Sequence, residues 1–109
     1  MFEGKHDFSS FMAAGGSQKT TVRTVRYCSV SRSAEWENQI EIEIEADAFL
    51  YNMVRIISGT LVEVGTGRLA ADSIPQIIEA CDRTSAGMTA PPEGLFLKNV
   101  FYDTADLEW

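Results

Sequence analysis

The chain has 109 residues, 45% hydrophobic and 23% charged, which suits one soluble globular domain with room for a core. Nine Lys and Arg against sixteen Asp and Glu give a net charge of −7, which argues against an unaided nucleic-acid binder of the basic-patch kind. Apolar runs fall short of the roughly 18–20 residues needed to cross a bilayer. MFEGKHDFSS lacks the basic start and apolar stretch of a signal peptide, so a cytoplasmic protein with reduced Cys28 and Cys81 is expected.

In chain order, HDFSSFMAAGG offers Asp7 as a helix N-cap, places Phe8, Phe11 and Met12 at helical spacing, and stops at Gly15-Gly16. This predicts a short helix carrying His6 at the surface, then a polar loop with Lys19. TTVRTVRYCSVSR is β-branched and aromatic and predicts a strand from about Thr21 to Ser31, with Arg23 and Arg26 near its start. QIEIEIEAD alternates, so Ile40, Ile42 and Ile44 form a dry face opposite Glu41, Glu43 and Glu45. Three carboxylates on one face would repel phosphate. Charge is unevenly spread: residues 1–33 carry five cations against two acids, and residues 34–109 carry four against fourteen.

FLYNMVRIISGTLVEVG predicts a central helix. Leu50, Met53, Val54, Ile57, Leu61 and Val64 form its apolar stripe, and Gly65 and Gly67 stop it. Its other side holds Arg55, Ser58, Gly59 and Val62, so cover on more than one side is expected. ADSIPQIIEACDR starts at a cap, Asp72 or Ser73, and gives a second helix with Ile74, Ile77, Ile78 and Cys81 inward. TSAGMTAPPEG reads as a loop and LFLKNVFYD as a last strand. The expected fold is a single α+β domain over residues 1–109, an antiparallel or mixed sheet with helices packed on one face.

Little catalytic chemistry stands out. One histidine and two distant cysteines make no metal-ligand spacing, and no metal is expected. GTGRLA reads as a helix C-cap rather than a phosphate loop. Arg55 remains: a cation in an apolar helix that pairs with an internal acid such as Asp47 or Glu63, snorkels to the surface, or holds a carboxylate or phosphate in a cleft.

ADAFLYNMVRIISGTLVEVGTGRL followed by DRTSAGMTAPPEGLFLKNVFYD, preceded by EGKHDFSSF and TTVRTVRYCSV, resembles the C-terminal half of the tRNA pseudouridine synthase A family, over essentially the whole chain. The resemblance implies cofactor-free isomerisation of uridine to pseudouridine in the anticodon arm of tRNA. It implies that Arg55 forms a salt bridge to a nucleophilic aspartate, that Leu95 packs on the target base, and that the complete enzyme is a homodimer. The family's aspartate sits in a GRTDAGVHA-like motif of an N-terminal half, and nothing of that kind occurs here; the tyrosine that lines the pocket also belongs to that half. The chain is therefore expected to lack that half, to need it as a partner, and to be inactive alone. Arg23, Arg26 and Lys19 are candidate phosphate contacts. The competing reading is a non-catalytic α+β module for dimerisation or ligand binding.

Overall fold

The computed structural model describes residues 2–13, 20–33 and 39–95. A three-stranded antiparallel sheet runs β1 (Gly4–Asp7), β2 (Val22–Arg32), β3 (Ile40–Ala46) in sequence order, with β2 in the middle. Two helices follow, α1 (Met53–Gly65) and α2 (Ile74–Ala80), with 3-10 turns at Ser9–Phe11, Ala71–Ser73, Arg83–Ser85 and Pro92–Gly94. The α+β class is as the alternation and helical spacing imply.

The N-terminus departs from the expected helix. His6 and Asp7 lie in β1, paired with Arg23 and Val22, and only Ser9–Phe11 turns. A strand of four residues with no apolar alternation is defined by its partner rather than by its own pattern. Asp7 still works as a local acceptor: its Oδ1 takes the Ser9 N–H at 3.1 Å and the Thr21 hydroxyl at 2.6 Å. Those two donors, the hydroxyl foremost, hold its carboxyl below the usual range. The His6 ring is bonded to the Glu3 carbonyl at 2.8 Å and stands edge-on to Phe8.

Phe8 and Phe11 both point inward as the spacing requires, and with Phe2 they are fully buried. The Phe2 and Phe11 rings meet edge to face at 5.3 Å between centroids. Each such side chain contributes up to about 3 kcal/mol of burial. They share one core with Val25 of β2, Leu50, Met53, Ile56, Ile57 and Leu61 around α1, and Ile74, Ile77 and Ile78 of α2.

Pairing of β2 with β3 shifts between Val25, opposite Ala46, and Tyr27, opposite Glu45. The extra residue lets Val25 and Cys28 both belong to the core face despite their odd spacing. Half-burial and the neighbouring Glu3 push the Cys28 thiol up. The dry face of β3 is covered unevenly: Ile42 and Ile44 pack on the core, whereas Ile40 is 69% exposed and Val30, the residue opposite Ile42, is 49% exposed.

α2 starts directly after Ser73, one of the two expected cap positions, but without a side-chain capping bond. Residues Ala71–Ser73 form a 3-10 turn, and neither Asp72 nor Ser73 caps the helix with its side chain; the Ser73 hydroxyl donates to the Ala70 carbonyl. Cys81 is not on the inner face. It ends α2 in the left-handed region at φ 49° and is exposed. Both cysteines are free. Among the described residues no helix is long and apolar enough to cross a membrane. The strand expected from LFLKNVFYD lies, beyond Leu95, outside the described residues.

Candidate active site

The site is built on the first turn of α1. Asn52, the residue before the helix, is left-handed at φ 59°, a conformation that asparagine tolerates better than most side chains. Its carbonyl accepts the Ile56 N–H at 2.9 Å and so starts the helix, while its side chain makes no capping bond. The amide oxygen instead accepts from an Arg55 terminal nitrogen, Nη1, at 3.2 Å.

A strap of chain, 86–90, crosses the same helix. Gly59 is buried against it: a Cβ there would overlap the Met88 carbonyl. The Gly87 N–H donates to the Thr60 hydroxyl at 2.9 Å, and that hydroxyl donates to the Ile56 carbonyl at 2.7 Å. Arg83 also grips the strap, reaching the Gly87 carbonyl at 2.8 Å and the Thr89 hydroxyl at 3.2 Å. The strap in turn grips Arg55 twice. The Ala90 N–H donates to the Arg55 carbonyl at 2.9 Å, and Arg55 Nε donates to the Ala90 carbonyl at 2.8 Å.

Arg55 is thus half-buried and held by two neutral oxygens. Neither internal acid considered from sequence is bonded to it: Asp47 Oδ1 accepts the Thr24 and Ala48 N–H groups, and Glu63 lies a further two turns along α1. Among the described residues an ion pair joins Arg26 and Glu45. A guanidinium has five N–H bonds; Ala90 and Asn52 take two, leaving three on the terminal nitrogens among the described residues. Two parallel N–H bonds match the fork of a carboxylate or phosphate.

Leu95 follows the Pro92–Gly94 turn, closed by its own N–H on the Pro92 carbonyl at 3.0 Å, and its side chain is 50% exposed. It is five residues from Ala90, so it is tethered within at most about 18 Å of it. The structure therefore attaches Leu95 to the strap that holds Arg55. It does not bring Arg23 or Arg26 there. Arg26 bonds Glu45 at 3.3 Å and the Ala46 carbonyl at 3.2 Å on the exposed sheet. Arg23 turns Nη1 back onto the Thr20 and Val22 carbonyls, and Lys19 lies outside the described residues.

Sequence reasoning missed Asn52, Thr60, Arg83 and the Ala90 carbonyl. Asn52 carried a signal: three residues before Arg55 and adjacent to the helix start, it is within reach of the same face. The Ala90 carbonyl carried none, because a backbone acceptor has no residue-type signature.

An α+β domain that holds a half-buried guanidinium between two neutral oxygens, with terminal N–H bonds left among the described residues, has the part needed to orient an anion. Residues 1–103 match the family described as tRNA pseudouridine synthase, and the chain belongs to that family, whose members are isomerases. It is 54% identical over 101 residues to tRNA pseudouridine synthase A of Acetivibrio thermocellus, covering 93% of this chain and 40% of that protein. It is 50% identical over 99 residues to the synthase A of Thermoanaerobacter pseudethanolicus (91% and 39%), and 49% identical over 100 residues to tRNA pseudouridine synthase A 2 of Clostridium tetani (92% and 39%). The chain thus spans about two fifths of the length of these relatives.

Proposed function

We propose that this chain is the arginine-bearing part of an enzyme that isomerises uridine to pseudouridine in the anticodon arm of tRNA. Arg55 pairs with a nucleophilic aspartate supplied by a further segment, and Leu95 packs on the target base. The supporting observation is the state of Arg55: positioned by Asn52 and Ala90, yet without a carboxylate partner among the described residues. A guanidinium beside the aspartate would keep it ionised and aimed. An apolar side chain would replace stacking that an extruded uracil gives up.

The reaction conserves atoms. The bond from the ribose anomeric carbon to N1 breaks and one to C5 forms; C5 loses its proton and N1 gains one, so no cofactor or metal is required. The chain alone, without the aspartate, is inactive in this proposal, and the complete enzyme is a homodimer in the cytoplasm. Arg23, Arg26 and Lys19 contact tRNA phosphates, Arg26 by exchanging Glu45 for a phosphate.

The test is a chimera: the Acetivibrio thermocellus protein with its matching 101 residues replaced by this chain. Tritium release from C5 of labelled uridine in tRNA is expected from the chimera and not from this chain alone. Arg55→Ala should lower the rate at least a hundredfold, and an unaffected rate would refute the assignment. Alanine at each of Arg23, Arg26 and Lys19 should reduce the slope of log K against log salt by about 0.9 per lost phosphate contact. An unchanged slope removes that residue.

A further inference from the structure

Asn52 has two properties that its position does not require together. Its backbone is left-handed, for which glycine or asparagine suffices, and its side chain caps none of the first-turn N–H groups and turns to the guanidinium. A capping role would have used those N–H groups. We propose that Asn52 is a positioning residue for the isomerisation: its amide oxygen, with the Ala90 carbonyl, fixes the plane of the Arg55 guanidinium and presents the remaining terminal N–H bonds to the incoming carboxylate. This rests on the assignment of Arg55 proposed above.

The two acceptors differ in kind. Ala90 sits on Nε, near the pivot of the group, and is itself held because Arg83 and Thr60 fasten the strap. Asn52 sits on a terminal nitrogen, where it opposes rotation about the Nε–Cζ bond. With Nε alone engaged the guanidinium stays in place but can turn its terminal pair. Both acceptors are neutral, so they orient the cation without competing for it as a local carboxylate would. An aspartate at position 52 would hold the group more tightly and take the charge intended for the nucleophile.

Asn52→Gly separates the acceptor from the backbone, since glycine adopts a φ of 59° freely. The first measurement is nitrogen NMR of the Arg55 side chain in this 109-residue chain. The wild type should give separate terminal nitrogen signals at low temperature, Asn52→Gly should average them, and Asn52→Asp should keep them apart. Equal averaging in wild type and Asn52→Gly overturns the proposal. The second is kinetics in the chimera, where Asn52→Gly should lower kcat about tenfold, with KM for tRNA within about twofold and thermal stability nearly unchanged. A wild-type kcat also overturns it. An inert chimera, or one indifferent to Arg55→Ala, defeats the functional assignment instead, and the NMR result still decides whether Asn52 orients the guanidinium.

Discussion

Substituting Gly59 by alanine sets two effects of opposite sign against each other. On an isolated helix the change should stabilise by about 1 kcal/mol, because alanine is the better helix former. Here the added methyl overlaps the Met88 carbonyl, and a backbone atom cannot swing aside as a side-chain tip does. Overpacking of this kind is destabilising by about 1–3 kcal/mol. If the strap retreats, the Gly87 bond to Thr60 and the Ala90 bond to the Arg55 carbonyl are strained or lost, each contributing about 1 kcal/mol. The balance is a loss of about 2 kcal/mol. In urea titration of the chain, followed by far-UV circular dichroism, the midpoint should fall by about 1 M with little change in slope. A midpoint equal to or above the wild type would mean that the strap does not bear on α1 as described.

Acid should weaken the fold through Asp7. Its carboxyl is depressed in the folded state, first by the Thr21 hydroxyl, so its contribution is complete above the unfolded value of about 3.9 and disappears as pH falls through the folded value. Asp7→Asn should flatten the stability profile below about pH 4, and an unaltered profile would exclude Asp7 as a contributor. The thiols should react in order with a disulfide reagent: exposed Cys81 at once, and Cys28, half-buried with its thiol pushed up, only as the chain unfolds. Equal reactivity in the native state would contradict the placement of Cys28 on the core face.

Elements long enough to show a period were legible. The strand expected from Thr21 to Ser31 is β2 at Val22–Arg32, the Ile-Glu alternation is β3, and the apolar stripe is α1. The stripe included Val54, which does not belong to the core cluster, and omitted Ile56, which joins the main core, and Thr60, which is fully buried under the strap. That cover had been expected from the uncharged flank around Gly59, though not its source. The first strand was illegible because its pairing lies with residues 22–25, and the Phe8–Phe11 spacing fits a 3-10 turn as well as a helix. Cys81 looked like a core position by spacing, but α2 ends at Ala80 and the left-handed residue after it breaks the period. At the candidate site the arginine stood out by its apolar surroundings, while its neighbours are an amide and a backbone carbonyl that mark nothing in sequence.

The Ser10 hydroxyl donates to the Ile77 carbonyl and accepts the Asp82 N–H, across 67 and 72 positions of chain. This clasp, beside Phe8 and Phe11, cannot close on a ribosome until residue 82 has been made and released from the exit tunnel. At about 5–20 residues per second, roughly 4–14 s separate synthesis of the two ends. Through that interval Ser10 has neither of these two partners, and the contact that ties the Ser9–Phe11 turn to the end of α2 stays open.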